Sequence, residues 1–207
     1  EGLSELGPRG DAIVEADWCL GELKKTLEAE GILENTLIIF SSDNGPVLND
    51  GYFDDADVKN GDHTPSGPFR GGKYSLFEAG THVPFFTYWK GKIQPGVSDA
   101  MVSQLDIFSS LAELVGSEVR TNDSETLLDL FLGQSDQGRN EMVIEATSRT
   151  AFKKGDWVMI PPYKGPASNN NVKIELGNDS DFQLYNLAED IGQQNNLAES
   201  QPEKMQE

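Results

Sequence analysis

The segment Leu37–Gly45 constrains the fold most, because an uninterrupted apolar stretch, L-I-I-F, runs directly into the polar sequence S-S-D-N-G. An apolar run without polar alternation predicts a strand buried on both faces, as in a parallel sheet. The carboxyl end of such a strand opens on the crevice where α/β proteins bind their ligands. At that end Asp43 offers a carboxylate and Asn44 an amide oxygen, which suit Ca²⁺ or Mg²⁺ better than a soft metal. Gly45 lets the backbone turn away.

Composition limits the kinds of partner. The chain has 207 residues, of which 37% are hydrophobic, enough for one substantial core or for a core with a small satellite domain. A formal net charge of −19 argues against a nucleic-acid backbone or an anionic membrane as the main partner. No apolar run approaches the length that spans a membrane. The single cysteine, Cys19, lies in an apparent helix and is predicted to be a buried structural thiol rather than a nucleophile.

The first part of the chain has the pattern of an α/β protein. Asp11 is a candidate N-cap for a first helix, and Gly31 is a candidate stop signal. Val83–Trp89 predicts a second strand, and the stretch from Pro46 to Gly72 is long and polar enough to be a functional surface loop. The apolar residues of the first helix recur at helical spacing, and they are Ile13, Ala16, Leu20, Leu23 and Leu27.

A second helix signal precedes the predicted domain boundary. Ser103 and Asp106 occupy capping-box positions, and Gly116 is expected to end this helix. Residues 117–140 are polar and mixed, so we place the boundary there and predict two domains, 1–135 and 136–207. The second domain contains short strand patterns, M-V-I-E-A, D-W-V-M-I and F-Q-L-Y-N-L, which predict a small antiparallel sheet with a terminal polar helix or tail.

A second polar motif, G-G-K at residues 71–73, adds a cation. The glycine pair permits close approach of the backbone to a ligand, and Lys73 supplies a compact charge for an anionic oxygen. Together with an oxygen-liganded dication, this describes a site for a tetrahedral oxyanion. The phosphate-loop pattern does not fit, because Tyr74 follows Lys73 and no glycine lies five residues before it.

These motifs together resemble the sulfatase family of the alkaline-phosphatase-like superfamily, and the resemblance covers nearly the whole chain. It is carried by S-D-N-G at 42–45, G-K-Y-S-L-F-E-A-G at 72–80, V-P at 83–84, W-K-G-K-I at 89–93, Q-L-D-I-F at 104–108 and L-Y-N-L-A-E-D-I-G-Q-Q-N-N-L-A at 184–198. It implies part of a mostly parallel alkaline-phosphatase-like sheet with flanking helices, followed by a small antiparallel-sheet subdomain.

The resemblance also implies roles for individual residues. Asp43 and Asn44 would be two ligands of the family's calcium ion, and Lys73 would contact the sulfate and its bridging oxygen. His63 is a candidate contact on the substrate side, although a solvated loop histidine fits its G-D-H-T-P context equally well. Arg70 is a candidate partner for a sugar carboxylate or a second sulfate, with a structural ion pair as the alternative.

Other family features are missing from these residues. The resemblance implies that the nucleophile derives from a C-x-P-x-R or S-x-P-x-R motif upstream of these residues. Cys19 is followed by L-G-E-L and does not fit the first pattern. S-G-P-F-R at 66–70 has the letters of the second, but it lies after S-D-N-G, inside the long loop. The upstream aspartates, histidine and lysine of the family are also missing. Smaller departures from the pattern are Ala79, His82, Lys90 and the pair Ser109-Ser110.

The chain is therefore predicted to be the carboxy-terminal half of a calcium-dependent, formylglycine-using sulfatase. Its substrate would be a sulfated sugar or an aryl sulfate, and its partner the missing N-terminal half of the same protein. Neither nucleic acid nor a membrane is an expected partner. By resemblance the parent enzyme would be periplasmic or secreted, and the chain alone is expected to be inactive.

Two alternatives remain open. A phosphoryl-transfer relative of the same superfamily is disfavoured, because such enzymes use transition metals with several histidine ligands and this chain has only His63 and His82. A noncatalytic binding module or a truncated subunit is the alternative from another class. A C-x-P-x-R or S-x-P-x-R motif in the upstream reading frame supports the enzyme, and a start codon next to Glu1 supports the module.

Overall fold

A computed structural model describes residues 2–119 and 121–207. Within these ranges the elements follow one another as α1 (Gly7–Ala29), β1 (Ile38–Ser41), α2 (Ala56–Lys59), β2 (Phe85–Tyr88), α3 (Asp106–Leu114), α4 (Leu128–Phe131), β3 (Glu141–Ala146), β4 (Arg149–Lys154), β5 (Trp157–Ile160), β6 (Ser168–Asn169), β7 (Ile174–Glu175), β8 (Gln183–Asn186) and α5 (Pro202–Gln206). Short 3₁₀ turns lie at Leu33–Asn35 and Glu78–Gly80.

The chain divides into two compact units. Unit 1 comprises Glu1–Leu23, Ser41–Pro84 and Met142–Glu207, and unit 2 comprises Lys24–Phe40 and Phe85–Glu141. This grouping differs from the predicted domains, 1–135 and 136–207, because Leu76 and Phe77 are buried in the same core cluster as the C-terminal strands. As a division into separately folding domains, the boundary at 135 stays a prediction.

The first predicted helix is confirmed, with different capping at its start. It begins at Gly7, so Asp11 lies inside it rather than at the N-cap. The Asp11 carboxylate instead accepts the backbone N–H of Gly2 at 2.5 Å and that of Ser4 at 2.8 Å. These hydrogen bonds, led by the one from Ser4, lower the pKa of Asp11 to about 2. The C-terminus follows the prediction, since Gly31 has φ +69° and its N–H donates to Glu28.

The predicted burial of Cys19 is wrong for this chain, in which the residue is exposed. Only Gly10 is buried among the residues of α1. Apolar side chains on the same helix are also open to solvent, with Ile13 52% and Trp18 61% exposed. A thiol on this helix stays accessible because the described residues do not cover it.

The two predicted strands of the first part form a two-stranded sheet, β1 with β2. Phe40 and Phe86 stack with ring centroids 4.9 Å apart. Every residue of β1 is half-buried, so the predicted full burial is not observed in these residues. One neighbouring strand covers less of β1 than a larger sheet with helices on both faces would. A mostly parallel sheet stays a prediction.

The predicted antiparallel sheet is confirmed and contains an additional strand. Its strand order is β3-β4-β5-β8, and β5 pairs antiparallel with both β4 and β8. Thr147 and Ser148, with φ +54° and +64°, form the two-residue turn between β3 and β4. Strand β4 was not predicted, because three of its six residues are cationic, in R-T-A-F-K-K. The short helix α5 is the expected terminal polar helix.

No helix among the described residues combines the length and the apolar character needed to cross a membrane.

A buried ion pair organises unit 2 around the start of α3. Asp106 is completely buried, and Arg139 donates to it through Nε at 2.8 Å and Nη2 at 2.5 Å. The same carboxylate accepts the backbone N–H of Ser103 at 2.8 Å, which is one half of the predicted capping box. The helix ends at Leu114, and the predicted stop residue, Gly116, follows with φ +73°.

We expect Arg139→Met to lower the free energy of unfolding by about 3–5 kcal/mol, because it leaves a buried carboxylate without its charge partner. Urea denaturation measures this difference. Lys90→Met is the matched control, because Lys90 pairs with Glu28 on the surface of the same unit at 2.8 Å. Because water and salt screen an exposed pair, the loss in Lys90→Met should be much smaller. Equal losses in the two variants would contradict this view of Arg139.

Candidate active site

Two segments that are distant in sequence meet backbone to backbone in unit 1. The N–H of Gly45 donates to the carbonyl of Gly80 at 2.9 Å, and that of Lys73 donates to the carbonyl of Pro46 at 3.0 Å. A Cβ at Gly45 would lie 1.7 Å from the Ala79 carbonyl oxygen, so only glycine fits there. Backbone hydrogen bonds therefore hold the S-D-N-G turn (residues 42–45) and the G-G-K loop (residues 71–73) in fixed positions relative to each other.

The turn after β1 presents a carboxylate and an amide oxygen that have no partners among the described residues. Asp43 is exposed, and its carboxylate makes no hydrogen bond or ion pair with the part of the chain that the structure describes. The side-chain nitrogen of Asn44 donates to the Gly45 carbonyl at 3.0 Å, which leaves its amide oxygen as the group open to a cation. A carboxylate and an amide oxygen fit a hard divalent cation.

Asp43 and Asn44 alone would not make a complete metal centre. No group of three or more His, Cys, Asp or Glu residues that could hold a metal ion occurs within residues 2–119 and 121–207. Ca²⁺ takes six to eight oxygens, so Asp43 and Asn44 can supply only part of its shell.

Lys73 is a half-buried cation without a counter-ion among the described residues. Its Nζ lies 5.5 Å from the ring centroid of Tyr74, where the cation–π attraction is weak. Tyr74 has φ +76°, a left-handed conformation that is costly for an aromatic residue. The ammonium group is therefore free to bind an anion, and the turn that carries it is strained.

His63 lies on the long loop between the two segments and is exposed. Its backbone is tied to Asn60, since its N–H donates to the Asn60 carbonyl at 3.2 Å and its carbonyl accepts from the Asn60 side chain. The ring has no hydrogen-bond partner among the described residues. A role in contacting substrate stays a prediction.

Arg70 is engaged within the protein. Its Nε and Nη2 donate to the two carboxylate oxygens of Glu175, each at 2.8 Å, and Nη1 donates to the Gln193 carbonyl at 2.6 Å. The guanidinium carbon lies 3.9 Å from the Phe77 ring centroid. The hydrogen bond with Glu175 raises the pKa of Arg70 above its ordinary value. This geometry favours the structural ion pair, and a substrate contact through Arg70 stays a prediction.

A buried polar cluster that the sequence did not predict lies at the end of the G-G-K loop. Glu78 is 4% exposed, and its Oε1 accepts from Lys153 Nζ at 2.5 Å and contacts His82 Nδ1 at 2.9 Å. The Glu78 N–H donates to Gln193 Oε1 at 2.7 Å. Burial raises the pKa of Glu78, but His82 and Lys153 together lower it below its ordinary value. Lys153 comes from β4, so no local pattern indicated this contact.

A cavity of about 210 Å³ adjoins the junction of the two segments. It is lined by the long loop and by the β6–β7 turn, including Pro46, Gly71 and Ile174. Lys173 and Asp57, which pair at 2.8 Å, contribute charge to its wall. The cavity offers both apolar and charged surface next to the Lys73 backbone.

The comparisons with known proteins agree on one family. The family model described as Sulfatase matches residues 4–117. The chain is 44% identical over its whole length to an N-acetylgalactosamine-6-O-sulfatase of Bacteroides thetaiotaomicron, and it spans 41% of that protein. It is 34% identical to human arylsulfatase A over 67% of the chain, which corresponds to 26% of that protein.

A solved structure gives the same result for the fold. A Bacteroides thetaiotaomicron protein, from work on the metabolism of multiple glycosaminoglycans, superposes with a TM-score of 0.94 at 42% identity. That match covers 99% of this chain and 44% of the other. The chain thus spans less than half the length of the relatives that it matches.

Glu78 gives a pH dependence that can be measured on the chain itself. Because the pKa of Glu78 is lower in the folded state, its stabilising contribution is fully present above its ordinary value of 4.5 and is lost as pH falls through the folded-state value. We expect the urea midpoint of the wild type to fall more steeply below pH 4.5 than that of Glu78→Gln. Glu145→Gln, an exposed change on β3, should follow the wild type. Parallel curves for wild type and Glu78→Gln would contradict this role.

Proposed function

The chain belongs to the sulfatase family, and from this premise we propose that it is the carboxy-terminal part of a hydrolase of sulfate esters on sugars. The observation that carries the proposal is the junction of the Asp43-Asn44 turn with the Lys73 loop. It brings cation ligands and an unpaired cation into one frame. A doubly charged cation and an ammonium group suit a tetrahedral oxyanion.

Asp43 and Asn44 would hold a calcium ion through the carboxylate and the amide oxygen. The orientation of the Asn44 amide supports this assignment, because its nitrogen is already bonded to Gly45. When bound, calcium supplies positive charge that stabilises the sulfate oxygens. The remaining ligands would come from the N-terminal part of the same protein.

Lys73 would bind a sulfate oxygen and the bridging oxygen of the ester. As the S–O bond breaks, negative charge grows on the bridging oxygen, and a nearby ammonium group stabilises it. Because no carboxylate of the described residues pairs with Lys73, its charge is not neutralised before substrate arrives. A formylglycine in the N-terminal part of the protein would supply the attacking oxygen.

The sugar part of the substrate would occupy the side of the junction where the cavity lies. Its volume of about 210 Å³ is below the range of roughly 300–1,000 Å³ for drug-sized ligands, which suits a small sugar unit. The N-acetylgalactosamine-6-O-sulfatase among the relatives supports a sulfated carbohydrate as the substrate. A polysaccharide source of that sugar favours a periplasmic or secreted enzyme.

The partner of this chain would be the N-terminal part of the same protein. Exposed apolar residues on α1, such as Trp18, and the half-buried strand β1 both lack cover in these residues. Further strands beside β1 and β2 would make a larger, mostly parallel sheet and would bury these surfaces.

Hydrolysis is the first test. The protein expressed from the complete reading frame should hydrolyse an aryl sulfate or a sugar from a panel of sulfated sugars. The 207-residue chain alone should release no sulfate, because the formylglycine nucleophile would lie in the N-terminal part. Lys73→Met in the complete protein should lower kcat/KM by about 10²–10³. Lys164→Met, an exposed change in the same unit, is the matched control. Turnover by the isolated chain would contradict the proposal.

Calcium binding is the second test. Isothermal titration should show that the chain alone binds Ca²⁺ weakly, with a dissociation constant of about 10⁻⁴ M or higher, because it supplies too few oxygens. In the complete protein Asp43→Asn should weaken calcium binding and reduce turnover, whereas Asp50→Asn on the neighbouring loop should do neither. A submicromolar constant in the chain alone that disappears with Asp43→Asn would show that the site is complete within these residues.

A further inference from the structure

The turn that follows Lys73 needs support from outside itself. Tyr74 adopts φ +76°, and a bulky residue in this conformation persists only where the surrounding structure holds it. The Tyr74 side chain is exposed, so burial of the ring does not supply that support. The restraint must act on the backbone.

Arg149, the first residue of β4, acts on that backbone. Its Nη2 donates to the Tyr74 carbonyl at 2.8 Å. Its Nη1 donates to the Leu176 carbonyl at 3.0 Å and to Asn178 Oδ1 at 2.5 Å. One planar guanidinium therefore joins the turn after Lys73 to the segment after β7.

The bonding of Arg149 is unusual for a cation. Its three acceptors are neutral oxygens, and no carboxylate of the described residues pairs with it. Its desolvation is therefore not repaid by an ion pair. The pKa of Arg149 lies below the ordinary arginine value, because partial burial disfavours its charge. Partial burial of the Arg149 guanidinium costs solvation free energy. Its hydrogen bond in turn fixes the position of the Tyr74 carbonyl.

The segment that anchors Arg149 is itself fixed against the loop. The N–H of Leu76 donates to the Leu176 carbonyl at 3.1 Å, and a Cβ at Gly177 would lie 3.1 Å from Leu76 Cβ. Arg149 thus holds Tyr74, and the Leu176 carbonyl, which Arg149 also binds, holds Leu76. A displacement of Tyr74 would move its neighbour Lys73 directly.

We propose that Arg149 is a positioning residue for Lys73, which holds the left-handed Tyr74 turn so that the ammonium group stays directed at the sulfate. This inference rests on the proposed function, since it assigns Arg149 a role in that same site. It predicts that Arg149 influences turnover only through Lys73. A residue that merely stabilised the fold would influence turnover independently of Lys73.

A double-mutant cycle in the complete protein separates the two roles. Turnover of an aryl sulfate is measured for the wild type, Arg149→Met, Lys73→Met and the double variant. Misplacement of a binding group by about 1 Å costs on the order of 10²-fold in rate, so Arg149→Met alone should lower kcat by about 10- to 100-fold. In the Lys73→Met background the same change should cost less than about threefold.

Two further variants keep the result clear. Lys154→Met lies on the same strand and breaks a surface ion pair with Glu207, so it should leave kcat within about twofold of wild type. Arg149→Lys keeps the charge but cannot reproduce the planar fork, so its loss should be intermediate. If circular dichroism shows that Arg149→Met does not fold, the same cycle is run with Arg149→Lys.

The outcomes are distinct. An active wild type in which Arg149→Met or Arg149→Lys turns over at the wild-type rate would overturn this inference alone. Losses that multiply in the double variant would show an effect independent of Lys73 and would also overturn it. A complete protein that hydrolyses no sulfate ester would overturn the proposed function and this inference with it.

Discussion

The close approach of two backbones at Gly45 is the constraint on which the candidate site depends. Its amide donates to the Gly80 carbonyl, and the space where a Cβ would stand is filled by the Ala79 carbonyl oxygen. A side chain at this position would push the Asp43-Asn44 turn away from the Lys73 loop. Because main-chain atoms make this contact, it fixes the backbone that carries Asp43, Asn44 and Lys73. Their side chains take no part in it.

The same loop is anchored a second time, by charges from the C-terminal strands. Lys153 reaches Glu78 at the end of the loop, and Glu175 holds Arg70 at its beginning. The buried Glu78 carboxylate is stable only with its partners in place, so its contact with Lys153 holds the end of the loop against β4. The Arg70–Glu175 pair adds a second link, to β7. The C-terminal strands therefore form part of the scaffold of the site, although the sequence alone indicated a separate domain.

The local sequence predicts those parts of the fold that depend only on residues close together in the chain. The glycines after α1 and α3, at positions 31 and 116, end their helices through left-handed backbone conformations, which few other residues adopt readily. Arg70 and Glu175 are 105 residues apart, and nothing in the local sequence of either residue specifies the other. The exposure of Cys19 was missed for a related reason, because helical periodicity shows which face is apolar but not whether anything covers it.

Among the cations of residues 46–80, the pattern of ion pairs singles out Lys73 independently of any resemblance. With 35 acidic and 16 basic residues, the protein as a whole repels anions, but exposed charges farther apart than a Debye length of about 10 Å at 0.1 M salt are largely screened. Local charge therefore decides where an anion can bind. Three cations lie between residues 46 and 80, and two of them are paired, Lys59 with Asp55 and Arg70 with Glu175. Lys73 keeps its full charge next to the Asp43 turn, so an anion entering this frame meets a cation that no described carboxylate has neutralised.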